Sequence, residues 1–228
     1  MSSIVVGLGE VGTPLFEILR VAYPDIYGYD LKRVDVELPK SVEVLNICFP
    51  WSLEFSSSVT QYQIMFGPTL TIIHSTVPVG TTEGFVNAVH SPVLGRHSKI
   101  KDDMFKYKKW VGGSLREEAA SFLGRAGFKC RLAETSRETE LLKLMCLAKY
   151  GVSLAFANYQ KLVCDKENIP YSVVIDWDED YNRNVGDLKR PMIQPDGTIG
   201  GHCVVPGTKL LDNEYPNRLL REVLTYER

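Results

Sequence analysis

The chain has 228 residues, a formal net charge of −2 and 24% charged side chains. It is long enough to bury a full core, and it carries no field that would gather nucleic acid or an anionic membrane. Its five cysteines, Cys48, Cys130, Cys146, Cys164 and Cys203, are odd in number, scattered and free of any CxxC pair, which argues against a disulfide scaffold and against the usual zinc spacings.

The N-terminus runs directly into a strand without a basic, apolar leader, and no apolar run reaches membrane-spanning length. The expectation is a cytoplasmic protein with reduced thiols. Ile4-Val5-Val6 is a β-branched apolar run ending at Gly7, and from Thr13 to Val21 the apolar residues fall at helical spacing. Ile26-Tyr27-Gly28-Tyr29 predicts a second strand ending at Asp30, which completes a β-α-β unit. Val42 to Cys48 and Leu70 to His74 read as buried strands, and Trp110-Val111 and Phe128 to Leu132 as weaker ones. Strands recurring between helical patterns predict a Rossmann-type, doubly wound parallel sheet over residues 1–134.

The texture changes after residue 134. Thr135-Ser136-Arg137-Glu138 has the form of a capping box, and the stretch to about Asp165 lacks proline and contains one glycine, Gly151. The pattern predicts a helix of roughly thirty residues, about 45 Å long, more than one small sheet needs for cover. It heads a second region, 135–228, expected to hold a short helix after Ile169, a polar stretch, a glycine-rich loop and an amphipathic helix near Asn217 to Leu224. An apolar helix face that outruns its own domain predicts a homodimer.

Three places carry chemistry. Gly7-Leu8-Gly9-Glu10-Val11-Gly12 fits GxGxxG: the first glycine permits a tight turn, the second lets a pyrophosphate approach, and the third lets the helix pack on the strand. Asp30, at the end of the next strand, stands where a carboxylate accepts from a ribose hydroxyl, which favours NAD over NADP. Ser75-Thr76-Val77-Pro78-Val79-Gly80-Thr81-Thr82 follows a strand at the carboxyl edge of the predicted sheet, where Ser75 and Thr76 would meet the cofactor. The third is Gly200-Gly201-His202-Cys203, a thiol in a loop that a substrate could approach closely.

Taken in order, the GxGxxG start, "STVPVGTT", "SPVLG", a Glu-x-x-x-x-Lys helix leading to Ala-Phe-x-Asn, and "GGHC" resemble the nucleotide-sugar dehydrogenases, typified by UDP-glucose and GDP-mannose 6-dehydrogenase. The resemblance implies an NAD-dependent oxidation of an alcohol group on a sugar nucleotide or related anionic substrate, and a long helix at the dimer core. It implies that Cys203 attacks an aldehyde to give a thiohemiacetal and then a thioester, with Lys143 stabilising the oxyanion and Thr76 contacting cofactor or water. It also implies that Asn158, Gly200, Gly201 and His202 line the substrate. No metal is implied. Arg183, Lys189 and Arg190 are further candidates to meet an anion.

This chain departs from the family pattern at several positions. Leu147 stands where an asparagine is expected four residues after the lysine, Gly207 where an aspartate is expected four after the cysteine, and Val93 where a glutamate follows Ser-Pro. The family's C-terminal nucleotide-gripping domain has no counterpart, so a short form is expected. A two-electron oxidation with Lys143 as acid–base group, as in the related β-hydroxyacid dehydrogenases, is therefore weighed beside the thioester route. A non-catalytic NAD-binding protein is the alternative from another class, and a metal hydrolase using His74, His90, His97, His202 and Cys203 is the weakest reading.

Overall fold

The computed structural model describes residues 2–31, 38–96, 99–195, 197–199 and 203–226, and the chain divides into two compact units, Met1–Lys143 and Leu144–Arg228. Among the described residues of the first unit, β1 (Ser3–Val6), β2 (Tyr27–Tyr29), β3 (Val44–Ile47), β4 (Leu70–Ile73), β5 (Ala88–His90), β6 (Lys109–Gly112) and β7 (Cys130–Ala133) form one sheet. Its order is β2-β1-β3-β4-β5-β6-β7.

The central strands are buried on both faces, which is why they read as continuous apolar runs instead of alternating ones. Successive residues feed opposite sides. Val5, Val44 and Ile72 pack with Leu15, Ile18 and Leu19 of α1 (Gly12–Ala22) and with Ala119, Phe122 and Leu123 of α4 (Arg116–Arg125). Ile4, Leu45 and Ile73 pack on the other face with Phe55, Val59 and Phe66 of α2 (Phe55–Phe66). The sheet is thus doubly wound, as the alternation of strand and helix patterns implies.

One departure concerns strand direction. β1 to β5 run parallel, but β6 pairs antiparallel with β5 through His90 and Gly112, and β7 follows β6 in parallel. The connection between β5 and β6 carries α3 (Ile100–Lys106), a helix of seven residues. The sheet is thus mostly parallel, as expected, with one antiparallel pairing at its far edge.

The reciprocal capping box forms. Glu138 N donates to Thr135 Oγ1 at 3.3 Å and Thr135 N to Glu138 Oε2 at 3.1 Å, which starts the 31-residue helix α5 (Ser136–Lys166). The first unit ends inside this helix, at Lys143.

The second unit contains the rest of α5 with α6 (Ser172–Asn184), α7 (Val204–Glu214) and α8 (Arg218–Thr225). Its core gathers Ala155, Ile199, Val205 and Val223. A Cβ on Gly151 would come within 2.8 Å of Val223 and 3.0 Å of Val204, so the single glycine of α5 is what lets α7 and α8 sit close against it. Asn217 caps α8, its side chain accepting from Leu219 N at 2.9 Å. Met145, Phe156, Tyr159 and Leu162 on α5 are more than half exposed. Among the described residues no helix is long and apolar enough to cross a membrane.

Candidate active site

The turn between β1 and α1 is built by its glycines. Gly7 holds φ at +91°, and a Cβ there would lie 2.7 Å from Phe49 N. A Cβ on Gly12 would lie 1.8 Å from the Gly7 carbonyl oxygen, whereas one on Gly9 meets nothing within 4 Å. Gly7 and Gly12 are therefore structural necessities of the turn, while exposed Gly9 leaves open space above the first amides of α1. Glu10 is exposed and Val11 half-buried beside it. Asp30 Oδ2 accepts from Leu8 N at 2.8 Å, tying the end of β2 to the turn. A carboxylate has acceptor capacity for both this bond and a ribose hydroxyl. The cradle fits a dinucleotide: open space over Gly9, helix amides beneath it, and a carboxylate at the next strand end.

The loop after β4 is held from behind. Ser75 Oγ donates to Phe49 O at 2.6 Å, and Thr76 is half-buried next to it. Further along, Gly80 N, Thr82 N and Thr82 Oγ1 all donate to the fully buried carboxylate of Glu140, at 2.6, 2.8 and 2.6 Å. Burial pushes the Glu140 carboxyl upward from its ordinary range, and these hydrogen bonds oppose that shift.

Glu140 belongs to the first turns of α5, and its neighbours on the helix make parallel attachments. His90, at the end of β5, places Nε2 3.0 Å from Ser75 O and Nδ1 2.9 Å from Thr139 Oγ1. A carbonyl can only accept, so Nε2 carries the proton and Nδ1 accepts from the threonine. Burial holds this ring neutral, with its pKa down to about 3 and nearby Lys109 and Lys143 adding to the shift. Lys143 Nζ donates to Val93 O at 2.8 Å. Thr139, Glu140 and Lys143 thus fasten α5 to the loops that leave β4 and β5, and the Lys143 ammonium stands at the carboxyl edge shared by β1, β3, β4 and β5.

In the second unit, Cys203 is exposed and occupies the N-cap position of α7, its carbonyl accepting from Gly207 N at 3.0 Å. Gly200, Gly201 and His202 lie outside the described residues, as do His97 and the Lys32-Arg33 pair after β2. Asn158 is buried, and its Oδ1 accepts from Gly197 N at 2.9 Å, so this side chain tethers the segment that leads toward Cys203. Two of the basic candidates are partnered: Arg183 pairs with Glu179 at 3.1 Å, and Arg190 pairs with Asp178 at 3.3 Å while stacking on Tyr181.

Two of the three positions that differ from the resembled pattern, Leu147 and Gly207, meet. A Cβ on Gly207 would lie 2.5 Å from Leu147 Cδ1 and 3.2 Å from Leu147 Cβ. Leu147 fills the space over Gly207, so the two positions at which the resemblance implies an asparagine and an aspartate make a packing contact here.

Sequence reasoning missed Glu140, Thr139, Asn46 and Lys109, and saw His74 and His90 only as metal-ligand candidates. Among the described residues no group of three His, Cys, Asp or Glu is placed to hold a metal ion. The available signal for Glu140 was its helical spacing from Lys143 on the same face. No local pattern marks Lys109, which reads as one of a run of surface cations.

No protein-family model matches the sequence, and no curated protein matches it. Among solved structures, the chain is similar to UDP-D-ManNAc dehydrogenase from Pyrococcus horikoshii, with 21% identity, a TM-score of 0.79, and cover of 100% of this chain and 68% of that one. It is similar to a UDP-glucose dehydrogenase from the archaeon Pyrobaculum islandicum at 19% identity and a TM-score of 0.75, covering 99% and 67% of the two chains. A 3-hydroxyisobutyrate dehydrogenase from Mycobacterium tuberculosis is 15% identical with a TM-score of 0.73, covering 98% of this chain and 91% of its own. The chain shares the fold of these dehydrogenases.

Proposed function

We propose that this protein is an NAD-dependent oxidoreductase that oxidises a CH–OH group of a sugar-nucleotide-like or other anionic substrate in a two-electron step, with Lys143 as the acid–base group. The observation that carries the reading is the three-point attachment of α5, which sets the Lys143 amine at the carboxyl edge of the sheet. That is the edge on which the glycine turn opens. Gly7, Gly9, Glu10, Val11, Gly12, Asp30, Ser75 and Thr76 would hold the dinucleotide. A bound NAD supplies the hydride acceptor. Lys143 in its neutral form takes the hydroxyl proton as the C–H hydride departs, and in the reverse direction its ammonium returns that proton to the carbonyl oxygen. Asp30 favours NAD because a 2′-phosphate beside its carboxylate would be repelled.

The contact between Leu147 and Gly207 supports stopping at two electrons. The covalent continuation, Cys203 thiol addition to the aldehyde followed by a second oxidation and hydrolysis, needs polar groups to orient water. Two of the positions expected to supply them hold a leucine and a glycine. The exposed apolar residues Met145, Phe156, Tyr159 and Leu162 support a homodimer through α5.

The test is NADH formation over nucleotide sugars, sugar phosphates and hydroxy acids. Lys143→Ala is expected to lower kcat by about 10²- to 10⁴-fold, while Cys203→Ala retains turnover. Turnover abolished by Cys203→Ala would replace this reading with the covalent route. No turnover on that panel, with NAD still raising the melting temperature, would favour a non-catalytic NAD-binding protein.

A further inference from the structure

The loop that leaves β5 is anchored at its root. Lys109 Nζ, itself buried, donates to Ser91 O at 2.5 Å and to Pro92 O at 3.0 Å, and Lys143 Nζ donates to Val93 O at 2.8 Å. Ser91 O also lies 2.9 Å from His74 Nδ1, whose ring reaches Asn46 Oδ1 at 3.1 Å. Arg96 follows Val93 by three residues, a span of at most about 11 Å for an extended chain. It therefore stands near the edge of the sheet at which the Lys143 amine lies.

The Arg96 side chain is held in place by one carboxylate of α3. Its Nε donates to Asp103 Oδ2 at 2.8 Å and its Nη2 to Asp103 Oδ1 at 2.9 Å, while the Arg96 backbone N–H donates to Oδ2 at 3.0 Å. Asp103 is completely buried, whereas the arginine side chain is 62% exposed. Lys106, also exposed, donates to the same Oδ1 at 3.0 Å. A Cβ on Gly95 would lie 3.1 Å from Asp103 Cβ, so it is a glycine that lets the loop run this close to α3. The Arg96 bonds, with Lys106 adding to them, hold the Asp103 carboxyl well below the usual carboxylate range.

Two features go beyond a staple between loop and helix. A guanidinium carries five N–H donors, and Asp103 takes one from Nε and one from Nη2, which leaves both Nη1 protons and the second Nη2 proton on a planar, exposed edge. The charges are also uneven. Residues 96–106 hold Arg96, Lys99, Lys101 and Lys106 against Asp102 and Asp103, and after Glu17 pairs with Lys101 at 2.6 Å a positive charge still has no answer. A fixed guanidinium fork matches phosphoryl oxygens bidentately, and holding it ready beforehand lowers the entropy cost of binding. Two cations on one carboxylate oxygen favour a dianion.

We propose that Arg96 and Lys106 form a phosphate-binding site, with Asp103 as its positioning residue, and that the phosphate it takes is part of the substrate. The assignment to substrate rests on the reading of Lys143 as the acid–base group; the site itself does not.

The test is a titration of the intact, 15N-labelled protein with inorganic phosphate, using chloride at equal ionic strength as the control and following the Gly95 amide and Arg96 Nε–Hε signals by NMR. The latter is assigned by its loss in Arg96→Lys. Phosphate is expected to move both signals along a saturating curve with a millimolar midpoint. Arg96→Lys keeps the charge but not the fork and should weaken binding about tenfold. Asp103→Asn separates a positioned site from a merely charged one: removing the carboxylate leaves the cations unopposed, so binding by charge alone would tighten, whereas a site that needs the fork held in place should weaken about tenfold. A linear response no larger than that of other exposed arginines marks an adventitious ion only, and it overturns the proposal, as does unchanged affinity in Arg96→Lys or tighter binding in Asp103→Asn. Saturating NAD is expected to leave the phosphate midpoint unchanged; displacement by NAD would give the site to the cofactor's own pyrophosphate and overturn its assignment to substrate. In the NADH assay the KM of a phosphorylated substrate should rise about tenfold in Arg96→Lys with kcat nearly constant, and an unchanged KM overturns the assignment. An empty substrate panel beside an intact phosphate titration overturns the oxidoreductase reading and not the site.

Discussion

Gly207 is the fourth residue of α7, and at an ordinary helix position replacing glycine with alanine stabilises by about 0.5–1 kcal/mol. Here the new methyl would lie 2.5 Å from Leu147 Cδ1 and 3.4 Å from Leu147 Cγ, so the leucine must swing aside. Forcing an extra carbon into a packed contact costs about 1–3 kcal/mol. The net expectation for Gly207→Ala is a loss of about 1 kcal/mol. In a Leu147→Ala background the obstruction is gone, and the same substitution is expected to stabilise by about 0.5–1 kcal/mol. The cycle therefore has a sign change and a coupling of about 1.5–2 kcal/mol. Urea unfolding of the four proteins, followed by circular dichroism and compared at equal m, measures it. If Gly207→Ala raises stability equally in both backgrounds, the two side chains are not coupled and the packing argument fails. Because the aspartate implied by the family resemblance also begins with a Cβ, a polar pair can be rebuilt only by changing both positions, Leu147→Asn with Gly207→Asp.

Three further outcomes are expected. His74 and His90 are buried neutral, with pKa values below those of the unfolded chain, so between about pH 6.5 and 3 the unfolded state binds more protons and stability falls as pH falls. Each ring contributes a slope of up to about 1.4 kcal/mol per pH unit. Melting temperatures that rise on acidification from pH 6.5 to 4.5 would contradict this. Glu140→Ala leaves the Gly80 and Thr82 amides and the Thr82 hydroxyl without their acceptor and should cost about 3 kcal/mol by chemical denaturation; a change below about 0.5 kcal/mol would show that loop and helix are not held this way. Alkylation of the native protein should modify exposed Cys203 and Cys146 and spare buried Cys48 and Cys164, as mass mapping after quenching will read; Cys48 labelling as fast as Cys203 would refute the burial.

The first β-α-β unit and the start of α5 were legible because their signals are local: a glycine fingerprint between two periodic runs, and a capping box that closes within four residues. β5 escaped notice because it has three residues, Ala88 to His90, inside a stretch broken by Asn87 and Pro92. α7 escaped because Pro206 and Gly207 read as loop, although proline is tolerated in a first helical turn where its missing N–H has no partner to lose. Lys143 was singled out by the family resemblance, but the groups that surround it could not be. His90, Glu140 and Lys109 are joined to their partners across 49, 58 and 18 residues of sequence, and such pairings are written in the sheet order instead of in any window of the chain.

The attachment of α5 also determines where this protein can be cut. A fragment ending at Glu134 would keep every described strand of the sheet and every described helix before α5, yet it would lose Thr139 and Glu140 and so leave His90 Nδ1 and the loop amides of Gly80 and Thr82 without these partners. A fragment ending at Lys143 keeps them all. A fragment that keeps these bonds therefore carries a stub of a helix whose remaining turns belong to the second unit. The border between the two units falls inside α5, and a designer of hybrids should splice there instead of at the loop before it.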